Sequence, residues 1–551
     1  MLNLKDEKNA SWMVAAWASL LLLAMHYFQP NAGGAGLYVA NNNSSWISIS
    51  LIAAVGWFTI INRQQLQWNT VLSGFSLVCL TLLLPYLWSD SNYSGTVRLF
   101  GILGWWALTV ALVQFNKQKL LNLLLWLLIL GSTLQALVGL AQFLQPEWFL
   151  AIKNHRPVGS FYQPNVLASL LSTSLALCIW QLNQASPKLK IALSANILLH
   201  STVLYLVMSR TGVLAAVAVT MGLLWLLRSA STNKYTLSSI TLGVLAALAL
   251  QSTLTVEGRG QLDKPGYRTT LYSQSFELIA EKPLLGHGIG SFPSVYTEKL
   301  ADAYQQDPST PMMTQISTHP HNELLFWGVE AGLLPVMALL AFALWFSVHV
   351  WRRGDRFNHA MWLCTIPIIL HTQTEYPLYH SVAHLAVLSL LIVAATPTAS
   401  VRTIGFNNPL QILPKFIVGL SVVLTSALML TNLHAMTVAH DFIKTQQVQQ
   451  LQRLVNPFMQ PSLLNMLLAE ALLKSGDPQA APVAIELLQD EVEQRPSVGA
   501  FVLLANAYAT TGQTELMQQT AERGRYLYPT AKSLRPKVAA AADSPLASQA
   551  H

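Results

Sequence analysis

The sequence predicts an all-α fold: a polytopic membrane helical bundle of about thirteen transmembrane helices with a long extramembrane loop and a C-terminal helical domain. Three observations predict it. Of the 551 residues, 52% are hydrophobic and only 10% charged, with a mean hydropathy of +0.41, and a soluble chain of this size would have to expose large apolar patches. The apolar residues come in runs of spanning or near-spanning length, centred near residues 20, 54, 78, 106, 131, 173, 199, 219, 246, 336, 365, 389 and 423. The cations fall mostly in short connections between those runs, so the net charge of +7 reports topology and does not call for nucleic acid as a partner.

Taking the elements in order, Lys5 and Lys8 precede an apolar stretch over 11–28. It is long enough to span, and more spans follow, so it reads as an uncleaved first helix rather than a signal peptide. With the N-terminus in the cytoplasm, the cytoplasmic connections hold Arg63, Lys117, Lys119, Lys188, Lys190, Arg228, Lys234, Arg352, Arg353, Arg356, Arg402 and Lys415. The short opposite connections hold only Arg98, Lys153, Arg156 and Arg210. That asymmetry persists through every alternation, and it fixes the expected orientation. Cys79, Cys178 and Cys364 all lie within apolar runs without paired spacing, as packing residues do.

Two hydrophilic segments then fall outside the cytoplasm and share a compartment: a loop over about 251–320, and the tail beyond the last span. The expected division is a membrane domain over 1–435, a helical domain over 436–537 and a disordered Ala- and Ser-rich tail over 538–551. In the helical domain Pro461-Ser462 opens a helical stretch broken at Gly476, and Pro496-Ser497 opens another broken at Gly512, with Pro529 closing it. This period of about 34 residues is that of tetratricopeptide repeats, with Ala505, Ala507 and Tyr508 where paired helices pack. A plain helical tail packed on the membrane domain is the alternative.

Ionisable groups at membrane depth are costly, which makes each a functional candidate. Arg210, in Met208-Ser209-Arg210-Thr211-Gly212, sits between two apolar runs, and its alternative is an interfacial anchor. Arg268 opens an amphipathic segment in which Leu271, Phe276 and Leu278 could lie on the bilayer surface; alone, a loop arginine is usually just solvated. The strongest local signal is His319-Pro320-His321-Asn322-Glu323-Leu324-Leu325, where the loop ends and the tenth span begins. Pro320 and Asn322 are start signals that put His321 at or near a helix N-terminus, where the helix dipole favours the neutral imidazole a general base requires. A structural pair of interfacial histidines is the alternative, and no further ligand of metal-site spacing is evident. Two proline-broken stretches on the same side, Arg156 to Asn165 and Thr374 to His380, place Gln163, Asn165, Glu375 and Tyr376 around an outward-facing cavity. The glycines of Leu285-Gly286-His287-Gly288-Ile289-Gly290 follow no strand and read as a loop turn, not a phosphate-binding fingerprint.

With those residues set out, the chain resembles the O-antigen ligase superfamily, and more narrowly the bacterial O-linked oligosaccharyltransferases of the PglL type. The resemblance rests on Ser209-Arg210-Thr211-Gly212, on Tyr267-Arg268 before the run from Pro283 to Phe292, and on His321-Asn322-Glu323-Leu324. The protein-glycosylating branch is suggested by the run from Gly159 to Asn165, by Glu375-Tyr376-Pro377 and by a helical domain after the last span. Thr211 is slightly larger than the residue common in the family, and His319 is not part of its pattern.

The resemblance implies an inner-membrane enzyme with its active site and C-terminal domain in the periplasm. It would move a preassembled glycan en bloc from undecaprenyl diphosphate to a serine or threonine hydroxyl of a pilin-like protein. In that reading His321 is the essential histidine, Arg210 and Arg268 grip the lipid diphosphate, and Gln163 and Tyr376 arrange donor or acceptor. Arginine suits phosphate because it stays charged and offers paired donors, and the chemistry calls for no cofactor or metal ion. The alternatives are an O-antigen ligase or polymerase acting on a sugar acceptor and, from another class, a transporter or flippase. The last sits poorly with polar motifs gathered on one side rather than near the midplane.

Overall fold

A computed structural model of the chain describes residues 4–31, 34–90, 92–149, 155–252, 267–313, 315–398, 401–407, 410–477 and 479–534. Lys153, the loop segment 253–266 and the tail from 538 lie outside the described residues. The described chain forms two units.

The larger unit holds the apolar helices. These are α1 (Leu4–Ala18), running on through a π-helical turn at Ser19–Leu23, then α2 (Ala40–Arg63), α3 (Thr70–Leu83), α4 (Tyr93–Val113), α5 (Gln118–Leu144), α6 (Pro164–Leu182), α7 (Pro187–Leu206), α8 (Arg210–Leu227) and α9 (Ala230–Ser252). Helices α10 (Tyr267–Glu281) and α11 (Phe292–Gln306) belong to the second unit. The larger unit resumes with α12 (Glu323–Ala331), α13 (Leu333–Arg353), α14 (Arg356–Thr372), α15 (Pro377–His380), α16 (Val382–Ala395) and α17 (Ile412–Thr445). Two four-residue strands, Gln65–Trp68 and Arg402–Gly405, pair antiparallel between connections.

Every expected span centre falls in a helical segment, but eleven helices among the described residues, not thirteen, are long and apolar enough to cross a membrane. The two that fall short are α14, with 17 residues and Pro367 inside, and α16, with 14 residues. Every residue of α16 is buried, and α14 is mostly buried, with Arg356 and Ile369 exposed. A helix walled by protein on all sides need not match the thickness of the hydrocarbon. Helix α6 is the other central element, with 94% of its apolar window buried, against 11% for α17. Two of its small polar residues bond back to the preceding turn: Ser172 Oγ donates to Ala168 O at 2.8 Å and Thr173 Oγ1 to Ser169 O at 2.9 Å.

The tenth span does not begin at His321 as expected. The nine-residue α12 comes first, and Gly332, at φ +78°, breaks the chain before α13. A Cβ at Gly332 would stand 2.4 Å from Leu284 O, so only glycine permits this close turn. Arg98 also departs from expectation. It is not in a connection but inside α4, and its side chain is buried.

The second unit contains α10, α11 and four further helices, α18 (Pro461–Lys474), α19 (Ala481–Gln494), α20 (Val498–Thr510) and α21 (Thr514–Leu527). The chain turns after α18 and α20 at Gly476 and Gly512, both at positive φ. Ala469, Ala484, Leu488, Leu504, Ala507 and Tyr508 form one apolar core, while Ala505 stays half-buried. A second core joins Ala301 of α11 to Phe501, Leu527, Tyr528 and Leu534, so the loop and the tail are packed as one body. Arg523 pairs with Glu298 and Tyr526 donates to Asp302 across the same contact, while Lys299 ties α11 to Glu277 at 3.0 Å and Glu281 at 2.7 Å on α10. Leu271 and Leu278 are expected on the bilayer surface, but they are 0% and 2% exposed; Phe276 alone of the three is exposed. Two leucines spaced i, i+7 share one helix face, and here that face packs on protein.

Candidate functional site

The segment from Gln373 to His380, between α14 and α16, is where the candidate residues of the larger unit meet. Pro377 ends the irregular stretch by starting α15, and Ser381 caps α16. Each candidate reaches this segment from a different helix end.

His321 stands two residues before α12 in the left-handed region, at φ +54°. Such a backbone is strained for a residue with a Cβ and persists only where its surroundings hold it. Asn322 does so twice: its Oδ1 caps α12 by accepting from Leu325 N at 3.0 Å, and its Nδ2 donates to Gln373 O at 3.1 Å. The next residue, Glu323, is buried at the start of α12, and its Oε1 has no hydrogen-bond partner among the described residues. Burial raises its pKa to about 8, against the opposing pull of Arg98.

Gln163 caps α6, and its Nε2 donates to Glu375 Oε1 at 3.3 Å. Asn165 Nδ2 donates to the same oxygen at 2.7 Å, and the other carboxylate oxygen meets His371 Nε2 at 3.1 Å. His371 Nδ1 lies 2.9 Å from Ser169 Oγ, which is also 3.1 Å from His384 Nε2. Burial alone would raise the pKa of Glu375, but the hydrogen bond and charge of His371, with Asn165 and His380, bring it down to about 2. The residue before Gln163 is Tyr162, at φ +57°, its hydroxyl on Gln29 O at 3.0 Å. The whole Gly159–Phe161 turn is held from α5: Gln142 Oε1 accepts from Val158 N and Gly159 N at 2.9 and 2.8 Å, and Gln135 Nε2 donates to Ser160 Oγ at 2.7 Å.

Arg210 is the first residue of α8, exposed, with Ser209 as the cap accepting from Gly212 N at 3.1 Å. Thr211 Oγ1 donates to Thr374 Oγ1 at 3.2 Å, which ties this helix end to the residue beside Glu375. A Cβ on Gly212 would come within 2.5 Å of Ala168 Cβ, and this closeness lets Ser172 reach Gly212 O at 3.1 Å. No hydrogen bond or ion pair engages the Arg210 guanidinium among the described residues, so it presents its charge at a helix N-terminus. The Tyr376 ring lies 4.5 Å from that of His380 and 5.9 Å from that of Tyr379. Burial lowers the pKa of His380 to about 4, with Glu375 opposing and His371 and His321 adding to the fall, so these groups share one electrostatic neighbourhood.

The larger unit therefore joins His321, Gln163, Tyr376 and the start of the Arg210 helix through one segment. Arg268 is the second residue of α10 in the other unit, exposed, and its part in the site stays with the resemblance. The glycine-rich run is a loop turn, as expected: His287 N and Gly288 N donate to Val329 O and Glu330 O at 2.8 and 2.9 Å. Sequence reasoning missed Ser169, His371 and His384, although Asn165 with Ser169 and His371 with Glu375 have the i, i+4 spacing that puts polar groups on one helix face. It also missed the buried pair of Arg98 and Glu330, 2.5 Å apart. No three histidine, cysteine or carboxylate side chains among the described residues converge as metal ligands would.

Two family models match the chain. One, described as O-antigen ligase, covers residues 195–340, a range holding Arg210, Arg268 and His321. The other, described as virulence factor membrane-bound polymerase, C-terminal, covers residues 359–542 and includes Glu375 and Tyr376. No curated protein sequence matches. The two matches, each to a part of the chain, support a likeness to the O-antigen ligase superfamily, and eleven helices among the described residues are long and apolar enough to cross a membrane.

Proposed function

We propose that the protein is an O-oligosaccharyltransferase of the bacterial inner membrane, moving a glycan en bloc from undecaprenyl diphosphate to a serine or threonine of a pilin-like protein. The observation that carries the reading is the convergence of the His321, Gln163, Tyr376 and Arg210 elements on the segment from Gln373 to His380. That convergence supports a reading in which His321 as base, the polar positioning groups and the helix start that bears the Arg210 guanidinium act around one segment. In the reaction the acceptor hydroxyl oxygen bonds to the anomeric carbon as its proton passes to His321. The bond from that carbon to the diphosphate oxygen breaks, and its electron pair leaves with the diphosphate. Arg210, with Arg268 as the resemblance implies, stabilises that leaving charge, an effect of several kcal/mol for well-placed donors. Gln163 and Tyr376 hold the sugar or the acceptor.

The active site lies on the periplasmic side in this reading, as the loop cations imply. Packing of α10 and α11 with the C-terminal helices supports it, because segments that share a core must share a compartment. A helical body outside the membrane also gives a polypeptide acceptor somewhere to dock. The second reading, ligation or polymerisation on a sugar acceptor, is favoured by the descriptions of the two matching families.

Purified protein supplied with undecaprenyl-diphosphate-linked glycan and a pilin-like acceptor should yield glycosylated acceptor by intact mass. His321→Ala should lose about 100- to 10,000-fold in rate while keeping its thermal midpoint. Unmodified pilin alongside glycan added to a lipopolysaccharide core would move the protein to the second reading. Wild-type turnover by His321→Ala would remove that side chain from the chemistry.

A further inference from the structure

Arg98 reads in the sequence as one more topology charge, yet the structure buries it in α4 against three different pieces of the larger unit. Its Nη1 lies 2.5 Å from Oε2 of Glu330, a side chain with no exposed surface at the end of α12. The same Oε2 accepts from Gly290 N at 2.9 Å, which fastens the glycine-rich turn to the pair. The guanidinium plane also faces aromatic rings: its carbon is 4.3 Å from the centre of Phe326 and 5.3 Å from that of Trp327, both on α12, and 5.5 Å from that of Tyr379 on α15. Phe326 and Tyr379 meet edge to face at 6.0 Å.

A buried ion pair is an uncertain source of stability. Two apolar side chains of similar volume often stabilise a fold as well or better, because neither needs desolvating. What the pair adds is geometric definition, since a planar cation with fixed donors accepts few arrangements of its partners. The partners here are the helix that starts two residues after His321 and the short helix that starts one residue after Tyr376. No other described cation reaches both α12 and α15.

We propose that Arg98, through Glu330 and the ring cluster of Phe326 and Tyr379, is the positioning residue that sets His321 relative to Tyr376. It touches neither donor nor acceptor. This rests on the proposed transferase reading, in which those two side chains act on the same reacting pair. An offset on the order of 1 Å between such groups is enough to cost about 100-fold in rate.

The test is the double variant Arg98→Met with Glu330→Met, which removes both charges of the pair together, beside Arg98→Lys, which keeps the charge and loses the planar guanidinium. Steady-state kinetics on the full-length protein should show kcat lowered about 10- to 100-fold in the double variant, with donor and acceptor KM within about twofold of wild type. Arg98→Lys should fall between the two, with thermal midpoints reported for all. If the double variant does not fold, the Arg98→Lys arm decides alone. Wild-type kcat in every folded variant, or a change confined to KM, overturns the proposal. Wild-type protein that transfers glycan to no acceptor at all would instead overturn the transferase reading, and the two failures are thereby distinct.

Discussion

Two charged constellations are buried in the same bundle, and they neutralise charge in different ways. At Arg98, a full cation meets a full anion, and backbone and aromatic groups complete the shell: Gly290 N on Glu330, and three rings on the guanidinium. At Glu375, a carboxylate is held by neutral amides, Gln163 and Asn165, and by a histidine whose other nitrogen continues to Ser169 and His384. The first arrangement fails badly if one member is lost, since the survivor is a buried ion without its counter-charge from the pair. The second spreads its compensation over several dipoles and degrades gradually.

That contrast sets the order of effects. Arg98→Met alone should be the most damaging single change, costing about 3–5 kcal/mol because it removes the cation paired with Glu330, a carboxylate without exposed surface. Its thermal midpoint in detergent should fall far below that of the double variant with Glu330→Met, and equal midpoints would break the comparison. Glu375→Gln should cost less, about 1–3 kcal/mol, because the amide keeps the shape and one acceptor oxygen. The pH dependence gives a sharper test. The folded pKa of Glu375 is lowered to about 2 from an ordinary 4.5, so the unfolded state binds the proton first on acidification. The stability it contributes is present above pH 4.5 and is lost as pH falls toward 2. Midpoints measured from pH 6 downward should therefore decline more gently in Glu375→Gln than in wild type; parallel curves would mean that the carboxylate is not held as described.

The two constellations also differ in how far the sequence disclosed them. The region around Glu375 was marked by prolines: Pro164 and Pro377 punctuate it, and Gln163, Glu375 and Tyr376 were picked out because breaks in helices expose polar groups. The Asn322 cap and His321 beside it were legible for the same local reason. Arg98 was not. It is six residues into α4, near enough to a span end to read as a connection, and its partner is 232 residues away. Nothing local identifies such a pairing. The break at Gly332 was hidden too, because a glycine amid apolar residues looks like part of a continuous span, and the need for it comes from Leu284 O pressing on the turn. The shortness of α16 goes with burial along its whole length, a tertiary property that run length alone cannot report. Burial of Leu271 and Leu278 on protein rather than lipid belongs to the same category, since both partners would produce the same amphipathic spacing.

The smallest expected effect lies between the two constellations, at Glu323, whose electrostatic neighbours include Arg98 and Tyr379 and which follows His321 by two residues. Among the described residues its Oε1 has no hydrogen-bond partner, and burial, opposed by Arg98, raises the pKa to about 8 from 4.5. The sign is opposite to that of Glu375: here the folded state binds the proton more tightly, so the contribution is fully present below pH 4.5 and is lost as pH rises through 8. Glu323→Gln mimics the neutral form. It should leave the midpoint nearly unchanged near pH 4 and remove part of the decline that wild type shows between pH 4.5 and 8. A variant that instead loses stability at pH 6 would show that Glu323 is ionised there and paired, most simply with Arg98. In that case the guanidinium would serve two carboxylates, and the Arg98 constellation would reach directly into the turn that carries His321.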